Sequence, residues 1–215
     1  MMKKNGFTLA EVLITLAIIG VVATLTLPSL MSNTAEQQSI TAFKKVMNTL
    51  NEAGQMNAAL EGFDYTIASA GSITDSVQDN IQSLCSLFNE RLQVSKEASG
   101  AYGATGKCKA DPVIVLRDGT AICIGKQSIK KNKYWLIYVD TNGPKGPNAL
   151  SVCKEEGCIT KASRQIKDQY GVTIAEGIAV PGHWSAYQKE ANNTYSYAAR
   201  YAMGIGKREQ KASGD

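Results

Sequence analysis

From Phe7 to Leu30 the chain reads FTLAEVLITLAIIGVVATLTLPSL, 24 residues with one formally charged side chain, Glu11. As a helix rising about 1.5 Å per residue, such a run is roughly 36 Å long, enough to cross the hydrocarbon core of a bilayer. Lys3 and Lys4 precede it. Basic residues on that side favour leaving the N-terminus in the cytoplasm and passing the rest of the chain across. A cleavable secretory signal is the plainer alternative, and three details oppose it. The basic head is short and ends in Gly6; Glu11 sits inside the apolar run; no small-x-small cleavage pattern with a change of composition follows. A plain anchor accounts for the run but not for Glu11. An intramembrane carboxylate costs about 2.5–3.5 kcal/mol on insertion scales unless it finds a partner.

Gly6-Phe7-Thr8-Leu9-Ala10-Glu11, followed by Val-Leu-Ile-Thr-Leu-Ala-Ile-Ile-Gly, closely resembles the N-terminal segment of type IV pilins and pilin-like proteins, pseudopilins included. The resemblance covers roughly the first quarter of the chain. It implies cleavage between Gly6 and Phe7 by a prepilin peptidase, and N-methylation of the new amino terminus of Phe7 by the same enzyme family. It also implies that Glu11 meets the amino terminus of a neighbouring subunit during assembly, and that Pro28 bends or loosens the helix. The implied partners are the prepilin peptidase, other pilin-like subunits in a helical filament, an inner-membrane assembly platform and the lipid bilayer. The implied location is the bacterial inner membrane, single-pass, with the globular part periplasmic or extracytoplasmic, and then a pilus or pseudopilus. The chemistry is consistent with this resemblance. Cleavage creates an α-amine four residues from a carboxylate, and between staggered subunits that pair would set the register and neutralise a costly charge. Loss of MMKKNG removes Lys3 and Lys4, taking the side-chain net charge from +4 to +2.

The helical pattern continues past Pro28. Ile40, Phe43, Met47 and Leu50, with Val46, Ala53 and Leu60 beside them, recur at three- to four-residue spacing, while Lys44, Lys45, Asn48 and Glu52 take the other faces. This spacing predicts an amphipathic helix. Together the two segments predict one helix from about Phe7 to about Leu60, loosened near Pro28 and weakened at Gly54. Its first half is apolar all round and its second half carries one stripe. The expected organisation is a leader over 1–6, a transmembrane and assembly helix over 7–30, its amphipathic continuation over 31–61, and a globular domain over 62–215.

In the globular part, residues 62–75 read as a linker. Val77, Ile81, Leu84, Cys85, Phe88 and Leu92 predict a second amphipathic helix capped by Thr74 or Asp75, and a loose stretch follows from Ser95 to Asp111. Val113–Leu116 and Thr120–Ile124 flank Asp118-Gly119, a strong two-residue hairpin turn, and Tyr134–Val139 supplies a third strand. The expected fold is α+β, a long N-terminal helix packed on a small antiparallel sheet, as the resemblance to pilins also implies. The loop Asp140-Thr141-Asn142-Gly143-Pro144-Lys145-Gly146-Pro147-Asn148 looks like a D-x-N-G-x-x-G-P-N loop of pilin-like proteins. Asp140 and Asn142 offer oxygens to a calcium ion, but the loop lacks the ligand set of an EF-hand, and a tight structural turn is the better reading. Val172 to Val180 reads as a strand, and Trp184 to Met203 as a helix or an irregular cover.

Five cysteines suit disulfides in an extracytoplasmic domain. Cys153 and Cys158 enclose a short loop and are one expected pair; Cys85 with Cys108 is another, which leaves Cys123 buried on a strand. Other pairings are equally legal on sequence alone. The spacing does not suit a four-cysteine zinc site. One histidine, His183, leaves no material for a histidine triad or a multi-histidine metal site. Walker, nucleophile-elbow, zincin and Rossmann patterns are absent from the sequence, so no cofactor and no enzymatic turnover are expected. A net charge of +4 spread along the chain does not argue for a dedicated nucleic-acid binder. The cluster of Lys126, Lys130, Lys131 and Lys133 beside Tyr134 and Trp135 is more simply a solvated loop than a DNA contact, and Asn192-Asn193-Thr194 is a weak glycosylation match. The reading is therefore a pilin-like structural subunit of a type IV pilus or type II secretion pseudopilus. The alternatives are a DNA-uptake or adhesive minor pilin, or a membrane-anchored binding protein that forms no filament.

Overall fold

The computed structural model describes residues 7–60, 70–71, 83–95, 113–128, 134–155, 158–175, 177–182 and 194–205. Its elements are helix α1 (Leu9–Leu60), helix α2 (Leu84–Arg91), strands β1 (Val113–Val115), β2 (Ala121–Ser128), β3 (Tyr134–Asp140), β4 (Val152–Cys153), β5 (Arg164–Gln165), β6 (Gln169–Ala175) and β7 (Ile178–Pro181), and helix α3 (Thr194–Met203). The class is α+β, a long N-terminal helix followed by a small antiparallel sheet. Two compact units divide the chain, Met1–Gln38 and Ser39–Asp215, so the boundary falls inside α1.

In the first unit the helix makes its own backbone bonds and satisfies the hydroxyls of its threonines. Thr15, Thr24, Thr26 and Thr34 donate to the carbonyls of Val12, Val21, Val22 and Leu30 at 2.8–3.0 Å. Threonines can therefore sit in an apolar run without leaving a bare donor. The helical backbone runs unbroken through position 28.

The second unit is built on a five-stranded sheet of order β1-β2-β3-β6-β7, antiparallel at every pairing. The alternation of a strand sends Trp135, Ile137 and Val139 of β3, and Tyr170, Val172 and Ile174 of β6, into one core. The α1 stripe of Ile40, Phe43, Val46, Met47, Leu50 and Ala53 enters the same core. Phe43 stacks on Tyr170 with ring centroids 4.2 Å apart and planes inclined by 18°. The chain turns at Asp118-Gly119 as expected, but through a three-residue loop rather than a two-residue turn. The Leu116 N–H donates to the Thr120 carbonyl at 2.8 Å and the Gly119 N–H to the Leu116 carbonyl at 2.9 Å. Gly119 lies at φ 92°, a conformation that glycine adopts without a steric penalty.

Polar contacts fix α1 across the sheet. Beside the end of β3 and the start of β6, Ser39 Oγ donates to the Lys167 carbonyl at 2.6 Å. Toward the β1–β2 turn, Lys45 Nζ reaches Asp118 Oδ2 at 2.7 Å. Toward the opposite edge, Asn51 bonds both backbone groups of Ala179.

The structure departs from the sequence reading in several places. Strand β1 and the first half of β2 are buried on both faces: Val113, Val115, Ala121 and Cys123 form a second cluster against Tyr138. Val172–Val180 is not one strand; the chain turns at Gly177, φ 76°, and returns as β7. Helix α1 continues through Gly54, which is buried, a place for a residue without a side chain. Helix α2 starts after Ser83, whose hydroxyl accepts from the Ser86 N–H while Ser86 accepts from the Ser83 N–H; Thr74 and Asp75 lie outside the described residues. The expected Cys85–Cys108 bridge does not form. Cys85 keeps its thiol in the core, Cys123 is disulfide-bonded, and Cys108 lies outside the described residues. The reading of Cys123 as a merely buried thiol is corrected with it.

Candidate assembly site at the head of the first helix

Thr8 ends the chain's approach to α1 and acts as its cap. Its N–H and its hydroxyl both donate to Glu11 Oε2 at 2.8 Å, and the Glu11 N–H donates to Thr8 Oγ1 at 3.3 Å. This is the reciprocal capping box, with Glu at the third helical position. It stabilises the helix start and places a carboxylate where helix N–H groups favour negative charge. Both bonds to the carboxylate fall on Oε2. Phe7, Val12 and Thr15 line a shallow groove with Glu11. The sequence reading recognised Glu11 but gave Thr8 no role; the T-x-x-E spacing ahead of an apolar run was the signal for it.

Around this head the helix is uncovered. Phe7 is 90% exposed, Leu9 81% and Ile14 61%, and among the described residues none of the apolar span is buried. Among the described residues, α1 is the one helix long and apolar enough to cross a membrane. Gly6, the other side of the expected cleavage point, lies outside the described residues. So do His183, Lys130, Lys131, Lys133 and Asn192.

The remaining candidates sit elsewhere, in the second unit. Cys153 and Cys158 are joined by a disulfide and pack with Ala198 of α3, whose small side chain lets the helix approach the bridge. Arg164 on β5 lies 5.0 Å over the Tyr201 ring, closing the same cluster with a cation–π contact. Asp140 is fully buried. Its Oδ1 accepts from the Asn142 N–H at 3.3 Å and its Oδ2 from Gln169 Nε2 at 2.8 Å. With the Asn148 amide oriented by its hydrogen-bond partners, its nitrogen donates to the Gly143 carbonyl at 2.7 Å and to Asp140 Oδ2 at 3.1 Å. Asp168 accepts from the Asn148 and Ala149 N–H groups at 2.7 and 2.8 Å. The two carboxylates thus hold the 140–149 loop in shape. Among the described residues no group of three or more His, Cys, Asp or Glu side chains gathers to hold a metal.

No curated protein and no solved structure matches the chain significantly. Residues 1–27 match the prokaryotic N-terminal methylation motif. This segment contains the capping box, the exposed apolar helix and the Gly6-Phe7 junction; the chain opens with the prepilin signal of type IV pilin-like proteins.

Proposed function

We propose that this chain is a pilin-like structural subunit, cleaved after Gly6, N-methylated at Phe7 and assembled into a type IV pilus or a type II secretion pseudopilus. The observation that carries the reading is Glu11, a carboxylate at the head of an apolar helix half whose described side chains are exposed. Before assembly, lipid covers the apolar face and Thr8 supplies Glu11 with two donors. During assembly, copies of the same helix replace the lipid, and the methylated amine of a neighbouring Phe7 meets the Glu11 carboxylate. In a low-dielectric bundle, a misplaced copy leaves both charges unpaired, so the ion pair selects one axial stagger. Pro28, lying beyond the first five turns of α1, is the place where the helix loosens to fit the bundle. The protein's work is mechanical, and it turns over no substrate.

The first test is the mass of the N-terminal peptide from protein recovered in the membrane fraction of cells with a competent peptidase. The expected peptide begins at Phe7 and carries one added methyl group. A start at Met1 or well beyond Leu30 would overturn the reading. Glu11→Ala is expected to insert in the membrane as the wild type does and to be lost from filaments; normal incorporation would remove Glu11 from the assembly step.

A further inference from the structure

Both edges of the five-stranded sheet are closed from within the chain, and at β7 the closure is made by two residues 130 positions apart in sequence. At the β1 edge, a neighbouring segment does the work: the Ser95 N–H donates to the Val115 carbonyl at 2.8 Å and the Arg117 N–H to the Gln93 carbonyl at 2.9 Å. The β7 edge has no such segment among the described residues. Its register on β6 pairs Val172 with Pro181, Thr173 with Val180 and Ile174 with Ala179. Successive residues of an antiparallel edge strand turn their backbone groups alternately toward the partner and away from it. The Gly182 N–H donates inward to the Gly171 carbonyl at 2.9 Å, so Pro181 and Ala179 turn outward.

Those two outward positions are the ones that are blunted. Asn51, reaching from α1, accepts from the Ala179 N–H at 2.8 Å and donates to the Ala179 carbonyl at 3.3 Å. Its amide thus makes the two bonds that the next strand would make. Pro181 has no N–H to offer. Strand β7 therefore presents no outward backbone donor to another chain, although an unpaired edge is ordinarily a template for one. We propose that Asn51 and Pro181 together keep β7 from pairing with the sheet edge of a second copy of this chain, so that neighbouring copies meet without joining sheets. The inference stands apart from the assembly reading, because it concerns the second unit alone. It matters most where copies are crowded on one membrane or along one filament.

The test compares the full chain, in detergent, with Asn51→Ala, Pro181→Val, and the double variant. Light scattering gives the protein mass, and amide hydrogen exchange is followed at residues 178–181. The double variant is expected to double in mass at concentrations where the wild type does not, with exchange at 178–181 slowing as concentration rises. A folded double variant of wild-type mass, with exchange independent of concentration, would overturn the proposal and leave Asn51 as a brace for α1. A second variant guards against loss of fold. Asn51→Asp with Pro181 retained keeps an acceptor for the Ala179 N–H and adds no outward donor at 181, so it is expected to keep the wild-type mass. Association as strong as that of the alanine double variant would equally overturn the proposal.

Discussion

The two halves of α1 are made of similar residues and meet opposite fates. In the first half Leu13 is 59% exposed and Ile18 59%; in the second half Phe43, Met47 and Leu50 are at most 2% exposed. Apolar content alone does not separate them. The arrangement around the helix does: a side chain every third or fourth position makes one stripe, and one stripe is what one sheet face can cover. A helix that is apolar on every side needs cover on every side, from lipid or from other chains. The difference teaches that the same element can be a core component in one half and an unfinished interface in the other.

The largest expected effect tests that contrast directly. Phe43→Ala removes a fully buried ring stacked on Tyr170 and is expected to destabilise the second unit by about 3–5 kcal/mol. Ile18→Ala, in the exposed half, is expected to move the same transition by no more than about 0.5 kcal/mol. Denaturant unfolding of the full chain in detergent, followed by Tyr and Trp fluorescence of the second unit, measures both. Equal shifts would break the comparison, because they would mean that the first half also supports the globular core. A smaller loss, about 2 kcal/mol, is expected when Cys153 and Cys158 are both changed to Ser, since the bridge closes a very short loop. Peptide mapping without reduction is expected to recover that loop and to find Cys85 alkylated only after unfolding. A Cys85 cross-link would contradict the core placement of its thiol.

Much of this was legible in the sequence because local chemistry decided it. The α1 stripe, the Asp118-Gly119 turn and the Tyr134–Val139 strand each follow from a periodicity or a turn residue read over a few positions. The prepilin signal was legible because Gly6, Phe7 and Glu11 fall together at the head of an apolar run. What escaped was set by distant partners. Strands β4 and β5 are two residues each, too short for any alternation to show. Cys85 was assigned a partner by sequence spacing, whereas its side chain is directed by the buried face of α2, beside Leu84 and Phe88. Asn51 lies off the stripe in sequence, and only the register of β7 gives it a partner.

The smallest effect concerns the ion pair on the exposed flank of α1's second half. Lys45 and Asp118 keep side-chain exposures of 66% and 35%, so the pair is expected to contribute about 0.5 kcal/mol. Partial burial pushes the Asp118 carboxyl up. The hydrogen bond and charge of Lys45, with the Thr120 donors, outweigh it and hold the carboxyl below its usual range. A carboxylate depressed in the folded state stabilises that state above its unfolded value, and this contribution is lost as pH falls through the folded one. For an aspartate the loss falls below about pH 4. The gap in stability between wild type and Lys45→Ala should therefore be constant near neutrality and shrink in acid, and high salt should narrow it further. A gap that survived both acid and salt would show that Lys45 acts through the packing of its aliphatic stem. The polar flank of this half would then be held, like its stripe, by burial, and the contrast with the uncovered half would rest on apolar contact alone.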